Sequence, residues 1–323
     1  MIDFRYHLVS IIAVFFALAA GIVLGAGPLK GTVDDTLAEQ TAALRNENQN
    51  LHEQLTQNEA DQKYQEAFLQ EVTPRLVADQ LDGKGVAVIA MPGADEDTVT
   101  ATQEALEQAG ATADLVVRID PSWAAPDSEA VLDDLASQLV SSGTELPESG
   151  DGYERGAAVL ASALMAKSGS SGGSETVDTA TVTAFEETEL IALEHDAAEA
   201  PTLAVLVTGE VSGDDAEDRL DRLVTLAAAV DTAGDGTVAA GPASTAETGL
   251  VGTIRDADEV SDSVSTVDSV DLPSGRAAVV FALTEQSEGG SGHYGVVGGT
   301  DGALPPVPTA AETAAGTPNG SGE

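Results

Sequence analysis

Four histidines, three methionines and no cysteine limit what this 323-residue chain can do to a metal or a substrate. His7, His52, His195 and His293 are far apart and form no H-x-H pair, and Met1, Met91 and Met165 form no M-x-x-M run. Soft metal ions prefer thiolate and thioether ligands, so a soft-metal site here has to draw on distant segments. The missing cysteine excludes a disulfide framework, thiolate metal centres and a cysteine nucleophile, and leaves the compartment open. His293, within Gly292-His293-Tyr294-Gly295, is the one histidine whose glycine-rich setting suits a metal ligand. A turn histidine making ordinary hydrogen bonds is the competing reading. Asp256, Asp258, Glu259 and Asp262 are dense enough for a weak Ca²⁺ site but lack the glycine and closing glutamate of an EF-hand loop, and a solvated acidic surface is the simpler account. No Ser/His/Asp order, paired-carboxylate context or H-E-x-x-H is present, so no catalytic residue is assigned and no enzyme activity is expected.

A phosphate cradle needs glycines where the backbone must approach the anion. The turn Met91-Pro92-Gly93-Ala94-Asp95-Glu96-Asp97 has neither G-x-G-x-x-G nor G-x-x-x-x-G-K-[ST]. Its three acids would compete with a phosphate for the positive end of the following helix. They read as capping and dipole partners, as do Asp214, Asp215 and Glu217, and no cofactor is expected.

The elements that must hold these residues follow from periodicity. Val86 to Met91 is an apolar run bounded by Gly85 and Pro92-Gly93, which reads as a strand buried on both faces. Asp95 caps a helix striped by Val99, Leu106 and Ala109 and closed at Gly110, and Asp114 to Ile119 is the next strand. This βαβ pattern predicts a parallel sheet. Helices are expected over 129–140 and 153–166, with Gly/Ser/Glu-rich spacers at 141–152 and 168–175. A second βα passage runs from Leu203–Val207 through a helix bearing Leu220, Leu223 and Leu226 that closes at Gly234. Thr237–Ala240 is a further short strand, and Ala277–Leu283 fits either a strand or a buried helix. The sum is one α/β domain, Rossmann-like in layering. From Gly298 onward the Gly, Pro, Ala and Thr content predicts disorder.

Ahead of this domain the chemistry is that of a membrane and a partner helix. Leu8 to Leu29 carries no charge, and at ~1.5 Å per residue it can cross a ~30 Å hydrocarbon core. A cleaved signal peptide competes, with Gly25-Ala26-Gly27 as the cleavage region, but the run exceeds the usual apolar region of such peptides. Gly21 and Gly25 suit close approach of two spans, or are ordinary membrane-helix glycines. The short head and large following domain place the N-terminus inside and the bulk outside, although Arg5 and Lys30 nearly cancel as orientation signals. Next, Leu37, Leu44 and Leu51 repeat every seven residues; placing them at d puts Thr41, Asn48 and Leu55 at a. This is the seam of a two-stranded coiled coil in which Asn48 fixes register, making the partner a second copy of the chain. A single amphipathic helix packed on the domain is the alternative. Past Asn58 the apolar positions slip to Tyr64, Phe68, Val72 and Leu76, which reads as a phase shift, and Pro74 should end the helix at Thr73. The stalk would reach roughly 60 Å. The expected divisions are an anchor at 1–30, a coiled-coil stalk at 31–82, an α/β domain at 83–299 and a disordered tail at 300–323.

Lys+Arg total 13 against 55 Asp+Glu, a formal charge of −42. That excludes a nucleic-acid partner held by a basic footprint. A self-repulsion this large is tolerated where salt screens it, so the composition resembles that of proteins from salt-adapted organisms. A dedicated acidic ligand surface is the alternative.

Two segments resemble a known family. The head from Ile2 to Gly25 resembles the opening of the actinobacterial copper transporter (MctB-like) family. Ser265-Thr266-Val267-Asp268-Ser269-Val270-Asp271, Gly275-Arg276, Leu283 and Gly292-His293-Tyr294-Gly295 resemble its closing motif. The resemblance spans nearly the whole chain to about Gly299 and implies copper export or homeostasis at the cell envelope. For relatives linked to cell division it implies a cytosol-facing partner with a pyrophosphokinase-like fold and control of peptidoglycan hydrolase activation. One span, no run of alternating ~10-residue strands for a barrel and few soft ligands fit poorly with a pore. The expectation is therefore a membrane-anchored dimeric interaction protein with an envelope or cell-division partner. Direct copper binding or channel formation, with His293 as ligand, is the alternative, and a Rossmann-like enzyme a weaker one.

Overall fold

The computed structural model describes residues 4–26, 29–140, 146–147, 150–169 and 176–306. The chain divides into two units, residues 1–65 and 66–323. In the first, helix α1 (Phe4–Ala26) is one apolar rod, and its stretch Arg5–Gly25 is long and apolar enough to cross a membrane. Helix α2 (Leu29–Val77) begins in this unit and ends in the second. It passes straight through Pro74 where a break at Thr73 is expected. Proline removes one donor from the helix ladder, but Thr73 and Val77 on either side of it are buried against the α/β core, and that burial keeps the last turn helical.

The second unit is built on a seven-stranded sheet. In chain order its elements are β1 (Val86–Ala90), α3 (Glu96–Gln108), β2 (Val116–Ile119), α4 (Glu129–Leu139), α5 (Gly152–Leu164), α6 (Thr179–Glu187) and β3 (Ile191–His195). They continue with β4 (Leu203–Val207), α7 (Ala216–Ala233), β5 (Gly236–Ala240), α8 (Ser244–Thr248), α9 (Leu250–Asp256), α10 (Asp258–Ser261), β6 (Ser265–Val267), α11 (Pro273–Ser287) and β7 (His293–Tyr294). The spatial order is β3-β2-β1-β4-β5-β6-β7, and every neighbouring pair is parallel except β2 and β3.

The central strands are Val/Ala/Leu runs because both faces are covered. Val86, Val88 and Ala90 of β1 join a core with α3, α11 and Val77, while Ala87 and Ile89 join the opposite core with α5, α7 and α9. Trp123 stacks on Phe185 in that second core, their ring centroids 5.9 Å apart. The ambiguous run at 277–283 is helix, the middle of α11. The spacers at 141–152 and 168–175 fall largely outside the described residues, as do 307–323. Disorder from Gly298 is corrected as far as residue 306. Gly302 bridges to Tyr294, and the Asp301 N–H donates to the His293 carbonyl at 2.8 Å, so these residues continue the sheet edge.

Candidate functional site

In open parallel sheets ligands enter where strand order reverses, outside the carboxyl ends of the strands. Here that place lies between β1 and β4. The turn after β1 and the segment Thr208-Gly209-Glu210 meet there backbone to backbone: a Cβ on Gly209 would sit 1.7 Å from the Gly93 carbonyl oxygen, and one on Gly93 2.4 Å from that of Glu210. The two main-chain segments pack directly on each other at this place. Asp95 accepts from the N–H and hydroxyl of Thr98, both at 3.0 Å, so it caps α3 as expected. Such a cap contributes about 1 kcal/mol. Asp215 departs from that pattern: it makes no capping bond to α7 and lies 3.7 Å from Arg219.

The polar residues of the closing motif converge instead on the other side of the sheet. Arg255, at the end of α9, donates from Nε to the Thr266 hydroxyl (2.8 Å), from Nη1 to Asp268 Oδ2 (3.1 Å) and from Nη2 to the Tyr294 carbonyl (3.1 Å). The Asp268 side chain is fully buried and that of Arg255 nearly so. Asp268 also accepts from the N–H groups of Val296 (2.6 Å) and Val297 (3.1 Å), and a Cβ on Gly295, at φ +140°, would stand 1.8 Å from its Oδ1. Only glycine lets the chain pass this close. The neighbouring Gly275 is equally tight, since its Cβ would meet the Ser269 carbonyl oxygen at 1.7 Å. Arg276 closes that turn by donating to the carbonyls of Val270 and Asp271 at 3.1 and 3.0 Å.

His293 sits on β7, half-buried. Its Nδ1 is 2.9 Å from the Thr266 hydroxyl, its N–H donates to Asp301 Oδ2 at 2.9 Å, and Asp301 returns the bond to its carbonyl. Burial and then the Arg255 charge hold its pKa below the ordinary histidine value, against Asp301 and Asp262. The Tyr294 hydroxyl donates to Glu285 at 2.5 Å, and burial together with that carboxylate pushes its pKa well up. Ser265 accepts from Gln286 at 2.8 Å and from the Gly292 N–H at 3.1 Å. The motif is thus a closed polar lock. Periodicity passed over Arg255, Glu285 and Gln286; the one signal for Arg255 was a lone base, directly after the buried Ile254, at the head of an acidic run.

The four histidines lie on α1, α2, β3 and β7, and among the described residues no group of three or more His, Cys, Asp or Glu side chains is placed to hold a metal ion. Met91 and Met165 are core residues. Asp256, Asp258, Glu259 and Asp262 are exposed on and around α10. A cavity of about 320 Å³ at the end of β2 is lined by Arg118, Asp120, Glu186, Glu189, Ile191 and Ala192. Its charges are largely engaged: Arg118 pairs with Glu194 at 2.7 Å, Asp120 accepts from the Ser122 N–H at 2.8 Å, and Glu186 from the Leu193 N–H at 2.8 Å. On α2, the seam residues Leu44, Leu51 and Leu55 are 65, 53 and 57% exposed and Asn48 is exposed, while the side chain of Leu37 lies outside the described residues.

The sequence profile of the family described as "Copper transport outer membrane protein, MctB" matches residues 1–305. Copper transporter MctB of Mycobacterium tuberculosis (strain ATCC 25618 / H37Rv) is 30% identical over 304 residues, covering 91% of this chain and 96% of its own. The protein of the same name from Mycobacterium leprae (strain TN) is 28% identical over 313 residues, covering 92% and 96%.

Proposed function

Because the chain belongs to the MctB family of copper transport proteins, we propose that it is a membrane-anchored envelope protein serving copper homeostasis as a dimeric interaction module. In this reading α1 is a retained single-pass anchor with the short head inside, α2 pairs with a second copy as a coiled coil, and the Rossmann-like domain outside engages an envelope or cell-division partner. The protein is not an enzyme. The observation that carries the reading is the exposure of Leu44, Leu51 and Leu55, at d, d and a of one heptad frame, on the helix that follows a membrane-length apolar one. Leucine at d with asparagine at one a position is the pattern that favours a registered two-stranded pair.

The geometry of His293 supports an interaction role over direct handling of the ion. Its Nδ1 is tied to Thr266, and the Arg255 guanidinium bonded to the same hydroxyl opposes a second positive charge at the ring. The close main-chain packing of Gly93 on Gly209-Glu210 at the β1/β4 switch point likewise favours a recognition domain over a nucleotide-dependent one.

The test is complementation of a deletion strain with the full chain, measuring cell copper content and copper tolerance. Wild type and His293→Ala should restore both, and a triple Leu44/Leu51/Leu55→Asn variant should not. The reading is overturned if the triple variant complements fully while His293→Ala fails and loses Cu(I) binding in equilibrium dialysis.

A further inference from the structure

Because α2 is one helix from Leu29 to Val77, a heptad frame assigned to its first half can be followed by position into its second half. That frame has Leu37, Leu44 and Leu51 at d and Asn48 and Leu55 at a. It next meets Asn58 at d, Gln62 at a and Gln65 at d, three polar layers. Leu69 and Leu76 then fall two and three whole heptads after Leu55, and Val72 three after Leu51. Of the apolar positions past Asn58, Tyr64 and Phe68 leave the a/d frame, while Leu69, Val72 and Leu76 return to it. Phe68, at g, flanks the seam, and Tyr64, at c, lies on the outer face of the helix.

Burial separates this face from the one the helix uses on its own domain. Thr73 and Val77, at e and b, are buried in the α/β unit, and Val77 belongs to its core. Leu69 and Val72 are only half-buried, while Leu76 is 50% and Phe68 54% exposed. Length points the same way. The block from Leu37 to Leu55 covers less than three heptads and has Thr41 and Asn48 at two of its three a positions. Isolated helical pairing of that length is marginal, and a sustained coiled coil takes about three to four heptads. The polar window adds nothing, and Asp61 at g and Glu66 at e place like charges on its flanks.

We propose that a second copy of this chain also packs along Leu69, Val72 and Leu76. The dimer seam then has two apolar blocks joined by a polar window at 58–65, and the α/β unit itself carries the lower block. This rests on the dimer reading above and adds to it where the contact must extend.

The chain has no cysteine, so single cysteines report cleanly. Full-length Leu44→Cys, Leu76→Cys and Gln70→Cys would each be treated in native membranes with a short bismaleimide. Leu44→Cys and Leu76→Cys should give cross-linked dimer, each at least about fivefold more than Gln70→Cys, whose b position faces away from the seam. Linking at Leu44→Cys with only the Gln70→Cys level at Leu76→Cys overturns this proposal and leaves the upper seam standing. No linking at Leu44→Cys or Leu76→Cys removes the dimer reading itself.

Discussion

Leucine behaves in opposite ways in the two units. On α1 and α2, Leu8, Leu18, Leu24, Leu44, Leu51 and Leu55 are each more than half exposed, whereas Leu106, Leu160, Leu206 and Leu250 of the α/β unit have no exposed surface. Burial of such a side chain contributes about 1.5–3 kcal/mol, so the α/β unit gains within one chain what the helical part can gain only from another surface. For α1, apolar on all sides and long enough to cross a membrane, the proposed surface is lipid. For α2, apolar along one stripe and polar elsewhere, the proposed surface is a second copy of the same helix. Apart from the end of α2, where Phe68 and Leu76 are half exposed, the α/β unit buries most of its large apolar side chains within one chain, and the helical part does not. Substitutions that test this difference should divide into those that unfold the domain and those that only separate copies.

The largest effect is expected at the lock. Asp268→Ala leaves Arg255 buried without its counter-charge and frees the N–H groups of Val296 and Val297. Breaking a buried pair from one side costs about 3–5 kcal/mol. Trp123 is the sole tryptophan and lies in the α/β core, so its fluorescence in a denaturant titration of the full chain follows this unit alone. A loss below about 1 kcal/mol would mean that the lock does not hold the sheet edge.

Gly209→Ala should come next. Its Cβ has no room beside the Gly93 carbonyl, and overpacking of this kind costs about 1–3 kcal/mol. The same Trp123 transition measures it. An unchanged midpoint would show that the β1/β4 crevice can open, returning it to the list of ligand sites.

How far these features could be read from sequence depended on length and on partners. β1, β4, α3, α5 and α7 announce themselves because several apolar residues repeat with one period between glycine or proline stops. β6 and β7 have three and two residues, too few for any period. β6 carries Ser265 and Thr266 inward because Gln286, Arg255 and His293 satisfy them, and those partners are 11 to 27 positions away. Position 293 was singled out for its chemistry, but its role depends on Arg255 and Asp301, which no local pattern connects to it. Pro74 misled for a similar reason: the local penalty was legible, and the burial of Val77 that offsets it was not.

On the helical side, Leu51→Asn should leave the Trp123 transition within about 0.5 kcal/mol of wild type, because the side chain is more than half exposed and is not part of the α/β core. Its effect should appear in sedimentation of the detergent-solubilised protein as at least about a tenfold weaker dimer, ~1.4 kcal/mol. If Leu51→Asn instead moved the Trp123 midpoint and left the dimer intact, the two units would not differ as argued, and the single amphipathic helix packed on the domain would replace the coiled coil.

The smallest effect is a pH dependence confined to the α/β unit. Burial and Arg255 hold the folded-state pKa of His293 below its ordinary value of 6.5. As the pH falls through about 6.5 the unfolded chain therefore takes up a proton on this ring before the folded one does. Proton uptake by the unfolded state lowers stability, so the loss begins near that pH, grows until the pH drops below the folded value, and is absent at higher pH. Carboxylates titrate at the lower end of the same window, so the readout is the difference between wild type and His293→Gln, whose amide can still meet Thr266. The wild-type midpoint should fall more steeply than the variant's between about pH 7 and pH 5. A steeper fall in the variant would mean that the ring gains a proton on folding, which requires Asp301 and Asp262 to outweigh Arg255. In that case the charge argument against a cation at His293 would reverse, and the lock would become a plausible place for the ion.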